Sequence, residues 1–206
     1  MSALDLPSAN VQHIWCSAAI SKKMEDVFVG FVFSQAQQGK RIDRYVVYLS
    51  TLGGSPFSAV NLYNFIKSLP QETIAYNMGT VASAGVPVFL AFKQRYGVPG
   101  CSFAIHQTTT SKTVLPEQIS ASELKTQAGN LEITDKRTQA IIETETMGRG
   151  TNPLTRRLLK TFWLKGTTFT DSEAQTRGFI ERVEQPTMPT ENIVYITDQS
   201  LATLPG

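Results

Sequence analysis

Ser83 and His106 are the residues of this chain whose type and setting best suit covalent chemistry. Ser83 lies in Gly79-Thr80-Val81-Ala82-Ser83-Ala84-Gly85, between small residues and just ahead of an apolar helical run. His106 closes the apolar strand-like run in Ala104-Ile105-His106-Gln107. A serine hydroxyl is a poor nucleophile until a base takes its proton, and histidine is the usual base near neutral pH. Upstream, Leu52-Gly53-Gly54-Ser55 ends another strand with two glycines, which let backbone N–H groups approach a ligand closely. Nucleophile, base and backbone donors are what acyl transfer needs, so the pattern points to a serine hydrolase. Each part alone has a plainer reading. Serine before an apolar helix is a common N-cap, a glycine pair is a common turn, and a histidine at a strand end is often only hydrogen-bonded structure. His13 has no motif around it and is given no role.

These residues need elements to hold them. Residues 11–16 read as a strand, and Met24, Val27, Phe28, Phe31 and Val32 then recur at helical spacing until Gly39. Tyr45-Val46-Val47-Tyr48-Leu49 is the apolar run of a buried parallel strand. Ser55-Pro56 has the form of an N-cap followed by proline at the first helical position; Ala59, Leu62, Tyr63, Ile66 and Leu69 make that helix's inward stripe. A strand over 73–78 and a helix over 83–92 follow. This alternation predicts an α/β fold with a largely parallel sheet, in which ligands sit at the C-terminal ends of the strands.

Past His106, the polar residues 108–113 read as a loop or an exposed strand. Ser120-Ala121-Ser122-Glu123 has capping-box spacing and opens a long helix near 119–147. Its apolar stripe, Leu124, Ala128 and Leu131, gives way to Asp135 and Thr138. So little apolar surface predicts a helix that projects from the core or packs on another subunit. A strand near 167–170, a short helix near 172–177 and a tail near 184–206 with one β-like run complete the chain. No repeat or linker divides it, so residues 1–206 are expected to form a single domain.

Composition narrows the function. The chain has 206 residues, 41% of them hydrophobic, enough for a sizeable core. Its 19 basic and 17 acidic residues are spread along the sequence and leave a net charge of +2, with no footprint for nucleic acid. Cys16 and Cys101 lack metal-ligand spacing and read as buried free thiols, which fits a reducing, cytoplasmic compartment. The first residues do not form a signal peptide, and the longest apolar stretch, 84–92, is too short to span a bilayer. No metal or organic cofactor is suggested by any ligand spacing.

Taken as a set, several segments resemble the proteolytic subunit of the Clp protease family. They are Tyr48-Leu49-Ser50-Thr51-Leu52-Gly53-Gly54-Ser55, Leu62-Tyr63-Asn64-Phe65-Ile66-Lys67, the Gly79–Gly85 and Ala104–Gln107 motifs, and Ser172-Glu173-Ala174-Gln175-Thr176-Arg177-Gly178-Phe179-Ile180-Glu181. They occur in the family's order and at similar spacing. The resemblance implies a crotonase-like spiral of βαβ units with the long helix as a protruding handle. It implies a serine-type endopeptidase with Ser83 as nucleophile, His106 as base, and the backbone N–H groups of Gly54 and Ala84 as oxyanion donors. It further implies a peptide or unfolded-protein substrate, and subunits that assemble into rings stacked through the handle. No motif bears on an ATPase partner.

The chain departs from the family in three places. The family's catalytic acid aligns with Gly166, in Lys165-Gly166-Thr167-Thr168-Phe169-Thr170, where there is no carboxylate. Thr167, Thr168 or Asp171 are the candidate substitutes. The family's axial segment and first helix have no counterpart ahead of residue 11. Leu52 and Ala84 replace the usual proline and methionine. The missing acid keeps open a second reading, a catalytically degenerate subunit that acts as scaffold or peptide binder. A third reading, a crotonase-like enzyme on acyl-thioesters, is disfavoured by the Ser83/His106 spacing and by the lack of a Gly-Gly-Gly segment.

Overall fold

Strands and helices alternate from the start of the computed structural model, which describes residues 10–109 and 120–202. The order is β1 (Val11–Ser17), α1 (Lys22–Gln37), β2 (Arg44–Thr51), α2 (Pro56–Ser68), β3 (Glu72–Ala82), α3 (Gly85–Leu90), β4 (Gln94–Gly97) and β5 (Ser102–Ile105). Then come α4 (Ala121–Thr146), α5 (Arg156–Lys165), β6 (Thr167–Thr170), α6 (Asp171–Arg177), β7 (Arg182–Val183), β8 (Ile193–Thr197) and α7 (Asp198–Ala202). The eight strands form one sheet with the path β6-β5-β3-β2-β1-β8, and β4 and β7 branch from β3. Every pairing among them is parallel except β5 with β6.

β3 is the strand that shapes the site. Its Ile74–Asn77 part pairs with β4, whereas Thr80–Ala82 pairs with β5, so the strand changes partner near Gly79. The buried Asn77 side chain holds this junction: its Nδ2 donates to Ser102 O at 2.8 Å, and its Oδ1 accepts from Gly79 N at 3.1 Å. The apolar run that predicts a strand over 73–78 therefore continues to Ala82, because the later residues pair with a strand the periodicity does not show. β4 was also invisible to that pattern. It carries Gln94 and Arg95, and Arg95 is fully buried.

Most of the core lies between the sheet and its helices. Met24, Phe28 and Val32 of α1, Leu62 and Ile66 of α2, and all of α3 are buried there. The other sheet face carries a row of aromatic rings in which Tyr48 stacks on Tyr76 at 5.8 Å and Tyr76 meets Tyr96 at 5.1 Å. His13 belongs to that row through a 3.1 Å contact between its Nδ1 and the Tyr48 hydroxyl. Both cysteines are buried and unpaired. Burial, with a smaller push from Asp198, raises the Cys16 thiol to about 12. Burial and then Asp171 raise Cys101 to about 11, so neither is a thiolate near neutral pH. No helix among the described residues is long and apolar enough to cross a membrane.

Candidate active site

Three strand ends converge. β2 ends at Thr51 and leads into Gly53-Gly54, β3 ends at Ala82 ahead of Ser83, and β5 ends at Ile105 ahead of His106. Parallel pairing of β2 with β3, and of β3 with β5, puts all three C-terminal ends on the same edge. Gly54, Ser83, Ala84, His106, Thr138 and Trp163 line one small cleft there, of about 80 Å³.

Ser83 sits in a sharp turn with φ at +53°, in the left-handed region that non-glycine residues seldom occupy. Its N–H donates to Ala104 O at 2.8 Å, which fastens the turn to β5 just ahead of His106. The N-cap of α3 is Ala84, without a side-chain cap bond, so Ser83 is not a capping serine and the predicted start of that helix at 83 moves to Gly85. Holding a serine at positive φ costs on the order of 1–3 kcal/mol and aims its side chain out of the regular path. Ser83 is half-buried in the cleft.

The glycine pair is fixed by contact. At Gly53 (φ +101°) a Cβ would lie 2.6 Å from Ser83 Cβ and 2.9 Å from Ala82 O. At Gly54 (φ +141°) it would lie 2.2 Å from Ile20 O. Neighbouring groups tie down the two turns: Ser55 N donates to Ile20 O at 2.7 Å, Ile20 N to Gly53 O at 2.8 Å, and Gly53 N to Thr51 Oγ1 at 3.2 Å. The N–H groups of Gly54 and Ala84 take no part in these bonds, and both residues face the cleft.

His106 is half-buried, and its Nδ1 lies 2.7 Å from Gln107 O. A carbonyl oxygen only accepts, so this bond requires the proton on Nδ1 and leaves Nε2 with the lone pair a general base uses. The three candidate substitutes for the absent carboxylate fare poorly. Asp171 is at the far end of the β5–β6 ladder, where it accepts from Gly100 N at 2.7 Å and Ser172 N at 2.6 Å. Thr167 donates its hydroxyl to Phe162 O at 3.0 Å, and Thr168 is exposed. Gly166 is nevertheless beside the histidine, since a Cβ built there would lie 3.8 Å from His106 Cβ with nothing nearer.

Thr138 and Trp163 of the cleft, and the Gln107 carbonyl that partners His106, were not apparent from the sequence. Thr138 had a faint signal, because it interrupts the apolar stripe of α4 and yet is 6% exposed. A backbone carbonyl leaves none. Among the described residues no group of acidic, histidine or cysteine side chains is arranged to hold a metal ion.

A serine, a histidine and two unpaired backbone N–H groups thus meet at adjoining ends of parallel strands, an arrangement suited to acyl transfer. The Clp protease family model matches residues 8–187, so the chain belongs to the Clp protease family. One curated relative, the ATP-dependent Clp protease proteolytic subunit 2 of Treponema pallidum (strain Nichols), is 27% identical over 157 residues, or 74% of each chain. Among solved structures, a mutant ClpP1 from Listeria monocytogenes superposes with a TM-score of 0.70 at 17% identity, covering 85% of this chain and 92% of that one.

Proposed function

We propose that the protein is a serine-type endopeptidase that cleaves peptide bonds through an acyl-enzyme on Ser83. The observation that carries this reading is the convergence of Ser83, His106, Gly54 and Ala84 on one cleft. His106 Nε2 takes the hydroxyl proton as Ser83 Oγ attacks the scissile carbonyl. The negative charge that develops on the carbonyl oxygen falls to the N–H groups of Gly54 and Ala84, and each such donor is worth about 10²–10³ in rate. The imidazolium returns its proton to the leaving amine, and water then hydrolyses the ester by the same steps in reverse order. In place of an acid, the Gln107 carbonyl keeps the proton on Nδ1, which preserves the tautomer but supplies no full negative charge to the imidazolium. The subunits work as an assembly joined through α4. Catalysis needs no metal or cofactor.

A fluorophosphonate probe tests the nucleophile. The wild type is expected to be labelled and to hydrolyse short fluorogenic peptides, and Ser83→Ala to do neither. Equal labelling of both proteins would sink the assignment. No labelling and no hydrolysis by the wild type would favour the degenerate, scaffold-type subunit, for which Gly166 at the acid position is the motivating observation.

A further inference from the structure

A second cavity, of about 500 Å³, runs between α4 and α5 and shares Trp163 with the catalytic cleft. Arg156, Lys160, Trp163 and Leu164 line it from α5, at the i, i+4, i+7, i+8 spacing of one helix face. Opposite them, α4 contributes Lys136, Glu132 and Asp135. The two carboxylates are already engaged: Asp135 accepts from Thr108 N at 2.8 Å, and Glu132 faces Lys136 at 3.9 Å. Arg156 and Lys160 have no carboxylate partner among the described residues.

Two further features single out this face. Arg156 is the first residue of α5, which has no acidic side chain in its first turn. A cation there opposes the helix dipole and weakens the isolated helix, so local stability does not account for it. Independently, Trp163 is 3% exposed, and its indole Nε1 is buried without a hydrogen-bond acceptor. A buried, unpaired N–H is costly in the empty state and is relieved when an acceptor enters. Trp163 stands on the wall common to groove and cleft, and a small turn of its ring would present the buried N–H to an acceptor there.

We propose that this groove is a substrate subsite for an acidic stretch of peptide. The substrate's carboxylate pairs with Arg156 and Lys160, and one of its carbonyl oxygens accepts the Trp163 N–H. From Arg156 to Trp163 the helix rises about 10 Å, the span of roughly three extended residues. The preferred acid therefore stands two or three residues from the cleaved bond. This selectivity rests on the peptidase reading of the neighbouring cleft.

The test is a matched set of fluorogenic peptides with Glu, Gln or Lys placed two or three residues from the cleaved bond, on either side of it. On one side, Glu is expected to exceed Lys by roughly three- to tenfold in kcat/KM, the size that one or two partly exposed ion pairs can give. The difference should sit mainly in KM and shrink as salt is raised. In the double variant Arg156→Gln, Lys160→Gln the ratio should fall to about one, whereas Lys125→Gln on the exposed part of α4 keeps it. Trp163→Phe should lower turnover of every peptide without changing the ratio. Equal cleavage of Glu and Lys peptides, or a ratio that survives the double variant, overturns the subsite and leaves the peptidase reading standing. If no peptide is cleaved, the peptidase reading fails, and polarisation of labelled Glu and Lys peptides decides the subsite. Binding that favours Glu and is lost in the double variant supports it, and equal binding overturns it.

Discussion

His106 shows how much one missing carboxylate leaves undone. Its Nδ1 proton is held by the Gln107 carbonyl, so orientation is supplied, but the positive charge it would gain in the proposed reaction has no counter-ion among its described contacts. Gly166 stands beside it at φ +68° and ψ +100°, outside the left-handed helical well that aspartate and asparagine tolerate, so any side chain there is strained. Because that position adjoins His106, Gly166→Asp is expected to raise kcat/KM by roughly ten- to a hundredfold, part of the ~10⁴ that a triad acid is worth, while losing on the order of 1–3 kcal/mol of stability. Gly166→Asn, which has the same shape without the charge, should gain little. Equal rates for the two variants, read with one peptide across a pH series, would show that charge is not what the site lacks. That Ser83, His106 and Gly54 could share one cleft was legible because each follows a strand end in a short motif. The carbonyl partner was not, since every residue has one and only the backbone path decides where it points.

At the scale of elements, the joint between α2 and α4 is held by polar groups. The carboxylate of Glu145, near the end of α4, accepts from the Tyr63 hydroxyl at 2.7 Å and meets Lys67 Nζ at 2.8 Å. Beside it, the fully buried Arg95 donates to the carbonyls of Leu90, Glu145 and Gly178 at 3.1, 2.8 and 3.2 Å, tying α3 and α4 to the α6 terminus. Burial, then repulsion from Arg149, pulls that guanidinium down to about 9, so it stays charged at neutral pH. Burial pushes the Glu145 carboxyl up, but the Lys67 and Tyr63 hydrogen bonds and nearby positive charge outweigh it and hold the group below its ordinary 4.5. A carboxyl with a lowered folded-state pKa adds stability that is fully present above its unfolded value and is lost as pH falls through the folded value. Urea unfolding is thus expected to show wild type more stable than Glu145→Gln at pH 7, with the gap closing as pH drops below about 4.5. A gap that stays constant from pH 7 to 3 would assign the loss to packing instead. Of this joint only Tyr63, on the inward stripe of α2, was legible beforehand; no local pattern marks Arg95 or Glu145, which tertiary packing buries. The helices that were legible, α1, α2 and α4, carry their signals locally, in stripes, caps and stop glycines.

Across the molecule, α4 runs well past the core it packs on. Its 26 residues extend about 39 Å, yet its buried positions begin only at Thr138. Ahead of them Leu124 is 48% exposed, and Ala128 is exposed on the same face. An apolar stripe on a helix that runs past the core fits the proposed contact with another copy of the chain. The helix also reaches the site: Thr138 lines the cleft, and Asp135 holds Thr108 N, two residues past His106. Loss of the partner at one end would therefore loosen the histidine segment at the other. Leu124→Glu combined with Ala128→Glu is expected to shift sedimentation to a smaller species with unchanged circular dichroism. Peptide hydrolysis should fall roughly tenfold or more in parallel, because even ~1 Å of misplacement between base and nucleophile is costly. A dissociated variant with full activity would confine α4 to assembly. A variant that still sediments with the wild type would move the contact to another surface, for which exposed Leu52 and Phe57, beside the glycine pair, are the next candidates.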